Sequence, residues 1–241
     1  MSTIDMRILV DARNTSTKWQ LRDGHAAVDR GQGDLNALRD WVSTLDATKR
    51  YTIAVSCVRD DAYAQKIRNA FFALSGAKPH FVTSSATYAG VGNAYKEPHR
   101  LGVDRWLALL AIKARGESSA VIIDVGTACT IDVMNNGQHL GGYIFPGIAV
   151  ARDALMANTE KIRFSEDLEP SISLGTDTAA CVLSGVWLTV LTACQNVIGR
   201  FPDATIYLTG GSAPELVALG LEAQLVDGLV FDGLDFWLNG A

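Results

Sequence analysis

The sequence is poor in the residues that build metal and redox centres, with 4 cysteines and 4 histidines. Cys57, Cys129, Cys181 and Cys194 lie too far apart for a zinc ribbon or a Cys-x-x-Cys motif, and His25, His80, His99 and His139 show no ligand spacing. The cysteines are therefore expected as reduced core thiols and the histidines in solvated or loop positions. No Lys/Arg-rich run appears, and a formal net charge of -5 argues against nucleic acid or an anionic membrane as partner. No apolar stretch approaches the roughly 18–20 uninterrupted residues of a membrane span. The first seven residues also lack the order of a signal peptide, so a cytoplasmic location is expected. Two familiar phosphate-binding signatures are missing. There is no Gly-Lys-Ser or Gly-Lys-Thr loop, and Gly90-Val91-Gly92 begins a dinucleotide fingerprint that Tyr95 breaks where the third glycine belongs.

What is present is a duplicated device. Ile8-Leu9-Val10 leads into Asp11 and then Ala12-Arg13-Asn14-Thr15-Ser16-Thr17-Lys18. Half a chain later Val121-Ile122-Ile123 leads into Asp124 and then Val125-Gly126-Thr127. Each is a buried strand delivering a carboxylate into a polar hairpin, where backbone N–H groups and small hydroxyl or amide side chains suit a polyphosphate and its Mg²⁺. A lone aspartate there would read as a turn cap. Two in matching surroundings point to a nucleotide clamp.

Composition is that of a globular α/β protein: 48% of the 241 residues are hydrophobic, enough for a sizeable core, and the repeat suggests two related halves. Periodicity predicts strands at 7–10, 18–21, 51–58, 81–83, 120–134, 139–147 and 205–208. It predicts helices at 34–47, 60–75 (stopped by Gly76), 104–115, 148–158, 178–199, 213–219 and 227–238, with a functional loop over 84–103. Trp187, Leu188 and Leu191 fall at helical spacing and are expected to pack.

Three further elements could carry chemistry. Thr209-Gly210-Gly211-Ser212 follows a strand, and its glycines let backbone approach a ligand, which suits adenosine. Asp104, in Gly102-Val103-Asp104-Arg105, opens a helix; it reads as an N-cap or as a weak proton acceptor in phosphoryl transfer, a reaction that asks more for positioning than for basicity. Arg105 could hold an anionic group. Asp11 and Asp124 would orient a cation, while Asn14, Thr127 and Lys18 would bond phosphate oxygens.

These segments, together with Tyr95 and Pro98, Asp132, Gly141-Gly142 through Pro146-Gly147, and Gly175 through Thr178, resemble the type III pantothenate kinases of the acetate and sugar kinase/Hsp70/actin superfamily. The resemblance runs from about residue 7 to about 236. It implies two ribonuclease-H-like (actin-like ATPase) domains, expected here as 1–115 and 116–241, with a nucleotide cleft between them. It implies phosphorylation of pantothenate by ATP, the first step of coenzyme A biosynthesis. By position, Asp104 matches the proton acceptor, and Tyr95, Gly102, Val103, Asp104 and Arg105 match the pantothenate pocket, which Thr178 joins in a homodimer. Asp11, Ala12, Arg13, Asn14, Thr15, Ser16, Thr17, Lys18, Thr127, Gly210 and Gly211 match the ATP site. Asp124 matches the monovalent-cation site, for K⁺ or NH₄⁺, and Mg²⁺ is also implied.

One departure stands out. The family usually has glycine where this chain has Arg13. The arginine is expected to clash, to fold outward or to bond a phosphate oxygen, altering ATP handling. Two alternatives stay open: a kinase of the same superfamily acting on another small hydroxylated acceptor, and a nucleotide-binding regulator with decayed kinase activity.

Overall fold

The computed structural model describes residues 6–72, 74, 78–159 and 169–240. The chain divides into two units, Met1–Gly116 with Leu229–Ala241, and Glu117–Gly228. The predicted helix stop at Gly76 lies outside the described residues.

The first unit opens with β1 (Met6–Ala12), β2 (Thr17–Asp23), β3 (Ala26–Gly33), α1 (Leu35–Ser43), β4 (Tyr51–Cys57), α2 (Asp61–Phe71) and β5 (His80–Phe81). The sheet order is β3-β2-β1-β4-β5, with β1 antiparallel to β2 and parallel to β4. Every residue of β1 is buried, so both faces of the strand are covered. Ile8, Val10 and Ala12 pack with Leu38 and Val42 of α1 and Ile67 and Phe71 of α2. By strand alternation Arg7, Leu9 and Asp11 point to the opposite face.

Sequence periodicity misses β3. Its first five residues are exposed, and its composition is weakly β-forming. Packing explains it: a Cβ at Gly31 would lie 2.7 Å from the Trp19 ring, so glycine lets this edge strand close over the indole. The expected loop over 84–103 contains a small hairpin, β6 (Thr87–Tyr88) and β7 (Val91–Gly92). Ala89 and Gly90, with φ of 49° and 83°, form its tight turn, which is the local role of Gly90. A 3₁₀ turn at Pro98–Arg100 then leads into α3 (Val103–Ala114).

The second unit contains β8 (Ala120–Val125), β9 (Ala128–Asn135), β10 (Gln138–Pro146), α4 (Ile148–Ala157), α5 (Thr178–Gly199), β11 (Thr205–Thr209), α6 (Ala213–Ala218) and β12 (Gln224–Leu225). Here β8 lies between antiparallel β9 and parallel β11, in the order β10-β9-β8-β11-β12. This is the first unit's order, strand for strand. Val121, Ile123 and Val125 face a core that includes Val186, Val190, Cys194 and Val197 of α5. With 22 residues and a mean hydropathy of 1.6 over an 18-residue stretch, α5 is long and apolar enough to cross a membrane by length and composition; its buried stripe belongs to this core. Trp187 and Leu191 pack as expected, whereas Leu188 is exposed.

The last helix, α7 (Leu229–Asn239), departs from the expected 116–241 division, because it packs on α3 of the first unit. Gly233 allows this: a Cβ there would overlap the Leu107 carbonyl. Arg7 and His25 hydrogen-bond Asp235, and Arg22 and Arg115 hydrogen-bond Asp232, at the same junction.

Two other expectations change. Cys181 is exposed on the first turn of α5, although Cys129 and Cys194 are buried and Cys57 half-buried; all four are free thiols. His139 is buried, with Nε2 2.8 Å from Oδ1 of Asp132, because a bulge between His139 and Gly141 interrupts the alternation that would otherwise place it.

Candidate functional site

The repeated aspartates occupy equivalent places. Asp11 is the last residue but one of β1, and Asp124 the last but one of β8. Asp11 faces Lys18 across the antiparallel pair and Ser56 across the parallel one; Asp124 faces Thr130 and Thr209. Each carboxylate therefore sits at the end of a central strand, on the face opposite the neighbouring core residues.

In the first corner residues 13–16 connect the strands, closed by a hydrogen bond from Arg13 N–H to the Ser16 carbonyl at 3.0 Å. Arg13 does not fold outward. Its Nε donates to Oδ2 of the buried Asp11 at 2.8 Å. Its backbone is outside the left-handed region, so the position demands no glycine. Oδ1 of Asp11 and Oγ of Ser56 are buried and, among the described residues, have no hydrogen-bond partner. Two adjacent buried oxygens without donors suit a hard cation. Among the described residues no group of three or more His, Cys, Asp or Glu side chains could hold a metal, so Mg²⁺ here would be held by few protein oxygens together with phosphate and water.

The rest of the segment divides by face. Lys18 is exposed on the Asp11 side. Ala12 and Thr17 are fully buried on the α1–α2 side, where the Thr17 hydroxyl meets the Tyr63 hydroxyl at 2.7 Å. These two can offer a ligand only backbone. Asn14 and Thr15 are exposed at the tip, with Ser16 half-buried.

In the second corner only Gly126 and Thr127 join β8 to β9, closed by Gly126 N–H to the Ala128 carbonyl at 3.0 Å. Thr127 is exposed, and its carbonyl accepts from Gly147 N–H at 3.0 Å. Gly147 carries no Cβ because one would overlap the Gly126 carbonyl. The predicted adenosine motif packs here as well. Gly210 has φ of +104°, and a Cβ on it would lie 2.6 Å from Oδ1 of Asp124, while Ser212 N–H donates to the Val125 carbonyl at 3.1 Å. Gly211 is exposed beside it.

Of the residues expected at an acceptor pocket, Gly102, Val103, Asp104 and Arg105 lie at the start of α3. Gly102, not Asp104, is the N-cap; Asp104 lies in the first turn and accepts from Arg105 N–H at 2.8 Å. A Cβ at Gly102 would come within 2.8 Å of that carboxylate, so glycine gives it room. The Arg105 side chain, buried, donates to the Tyr95 hydroxyl at 2.9 Å. Asn93 holds the Tyr95 loop: its Nδ2 donates to the Ser85 and Pro98 carbonyls, and its Oδ1 accepts from Tyr95 N–H. Val103 points into the core. Thr178 is exposed at the start of α5 in the second unit, on the wall of an apolar cavity of about 1120 Å³.

Sequence reasoning passed over Ser56, Tyr63 and Asn93, and gave Gly147 no role beyond its place in a glycine-rich strand exit. For Ser56 a signal existed, a lone hydroxyl after Ile53-Ala54-Val55 in a buried strand. The others act through contacts distant in sequence and leave no local pattern.

Known proteins are similar to this chain over most of its length. The family model described as type III pantothenate kinase matches residues 7–200. A type III pantothenate kinase from Marinobacter nauticus is 35% identical over 240 residues, covering 95% of this chain and 97% of the relative. Among solved structures, a conserved Baf-family protein from Campylobacter jejuni, titled a transcriptional activator, superposes with a TM-score of 0.63 at 18% identity, covering 96% of this chain and 98% of that one. A Sinorhizobium meliloti protein titled a 2-dehydro-3-deoxygalactonokinase gives 0.58 at 12% identity, covering 96% and 95%. At those identities the structural likenesses speak for the fold alone, which is the duplicated ribonuclease-H-like architecture of the actin-like ATPases. With the family model spanning most of its length, the chain belongs to the type III pantothenate kinase family.

Proposed function

We propose that the chain transfers the γ-phosphoryl group of ATP to the 4′-hydroxyl of pantothenate, the first step toward coenzyme A. The observation that carries this reading is the group at the start of α3: the Asp104 carboxylate, the buried Arg105 guanidinium and the Tyr95 hydroxyl, held together by a glycine cap and an asparagine-braced loop. Arg105 and Tyr95 hold the acceptor's carboxylate, and backbone at Gly102 and Val103 lines the same pocket. Asp104 accepts the hydroxyl proton as the new O–P bond forms and the β–γ bridge breaks to give ADP. An aspartate suffices, because the loose transition state of phosphoryl transfer needs positioning more than a strong base.

Asp11, Lys18, Thr127 and the exposed polar groups of Asn14, Thr15 and Ser16 serve the phosphates, with Ala12 and Thr17 contributing backbone. Gly210 and Gly211 admit the adenosine. Asp11 with Ser56 suits Mg²⁺, and Asp124 a monovalent cation, K⁺ or NH₄⁺. Bound Mg²⁺ neutralises charge on the phosphate oxygens. A homodimer in which Thr178 completes the partner's pantothenate pocket, a cytoplasmic location, and the absence of nucleic-acid or membrane partners belong to the same proposal.

The test is a coupled assay of ADP release with and without pantothenate, in K⁺ and then in Na⁺, on the wild type and Asp104→Asn. Pantothenate-dependent turnover that falls about 10²–10³-fold in the variant, with both substrates still bound, is the expected result. A variant that keeps most of its rate removes Asp104 from the role of base. The Arg13–Asp11 ion pair favours one second reading, a regulator whose kinase chemistry has decayed. ATP binding with no phosphopantothenate formed would establish it.

A further inference from the structure

We propose that the first unit carries a second anion site, for a phosphorylated small molecule, on the face of its sheet opposite Asp11. A cavity of about 410 Å³ opens between the hairpin tip, the start of α1 and the first half of α2, a size suited to a small ligand. Arg39, Arg59 and Lys66 line it. Among the described residues none of the three is ion-paired with a carboxylate. Asp34 is the one acidic residue on the wall, and its carboxylate is engaged in capping α1 through Ala37 N–H at 2.9 Å. Three cations against one carboxylate leave the cavity with a net charge of +2.

The cations are partly preorganised. Arg59 lies with its guanidinium 3.7 Å from the centre of the Tyr63 ring, and Tyr63 is fixed by the Thr17 hydroxyl. Two guanidinium forks and an ammonium match phosphate oxygens better than a single carboxylate, which carries too little charge to balance the wall. Strand alternation separates this cavity from the nucleotide residues. Ala12 and Thr17 face the α1–α2 side, where the Thr17 hydroxyl meets Tyr63 on the cavity wall, whereas Asp11 and Lys18 pair across β1 and β2 on the other face. Thr15 and Ser16, at the tip, border both. A ligand here would therefore brace the hairpin that presents the first corner. The inference rests on charge and concavity in the first unit and stands whether or not pantothenate is the acceptor.

The test is calorimetric titration of the full chain with inorganic tripolyphosphate, without Mg²⁺, on the wild type, Lys18→Ala and the double variant Arg39→Ala/Lys66→Ala. The wild type should bind tripolyphosphate at two sites; the double variant should weaken one of them by about tenfold or more, the loss expected for removing charge-assisted hydrogen bonds, whereas Lys18→Ala should weaken only the other. Circular dichroism confirms that the variants are folded; both changed side chains of the double variant are exposed. Comparing tripolyphosphate with glycerol 3-phosphate, which lacks the base that the nucleotide site would recognise, distinguishes a free polyphosphate from a phosphorylated organic ligand by which binds tighter. No tripolyphosphate binding to the wild type, full binding to the double variant, or equal loss in both variants would overturn a separate site.

Discussion

After β1 the chain takes four residues to reach the next strand, and Arg13 folds back onto the Asp11 carboxylate. After β8 it takes two, and Gly147 and Gly210 press backbone against the connection. The strands beneath are equivalent in order, direction and pairing. One frame has thus been finished in opposite ways. The first corner supplies a cation from its own sequence, so anything that needs Asp11 must compete with a guanidinium. The second removes side chains, so backbone groups come close and nothing covalent fills the space. Receptivity at such a corner is set less by the fold than by what one or two side chains leave open.

The comparison can be broken at the second corner first. Gly147→Ala would drive a methyl into the Gly126 carbonyl, and should cost about 3 kcal/mol or more in denaturant unfolding; Asn14→Ala, at the exposed tip of the first corner, should stay within about 0.5 kcal/mol. Similar losses would mean that the corners are equally packed. Next come the carboxylates themselves. Asp11→Asn and Asp124→Asn should each lower kcat about 10²-fold, with the Asp124 variant also losing its response to K⁺. A silent change at either site would make that corner ornamental.

A smaller effect is expected from Arg13→Gly. Freed of its partner, Asp11 should accept a cation more readily, lowering the Michaelis constant for ATP with Mg²⁺ about three- to tenfold. The buried carboxylate left behind should cost about 1–2 kcal/mol of stability, less than for a wholly buried pair because Arg13 is partly exposed. Equal constants for ATP would end the competition idea. The smallest test concerns the thiols. Burial pushes the Cys57 thiol up, with Asp11 contributing, and the Cys194 side chain and burial push Cys129 up. Both should stay neutral at pH 7 and resist iodoacetamide while exposed Cys181 is alkylated, as peptide mass mapping would show.

Much of this was legible in the sequence because the corners are local. An apolar run, an aspartate and a polar turn are contiguous, and the period of a buried strand marks them twice. Gly102 through Arg105 were legible for the same reason. What escaped was assembled from distant parts. The exposed edge strand β3 has no apolar alternation and exists because Trp19 needs covering. His139 read as solvated because a bulge, invisible in composition, moves it inward beside Asp132. Arg13 read as a cation of unknown posture, since its partner two residues back is identified only by the turn that brings them together. The helix 227–238 was recognised as a helix, but its host was decided by Gly233 and by Asp235, features that acquire meaning only against Leu107 and Arg7.

That last docking bears on how the protein is made. On a ribosome the residues of β1 emerge well before the carboxylate that pairs with Arg7, because Asp235 lies 228 positions further along the chain. The middle unit can finish while the earlier one waits with an uncovered sheet face and unmatched guanidinium groups. Nascent chains stopped before 229 should therefore hold a protease-resistant centre and a vulnerable beginning. Chains extended through α7 should be protected in both places.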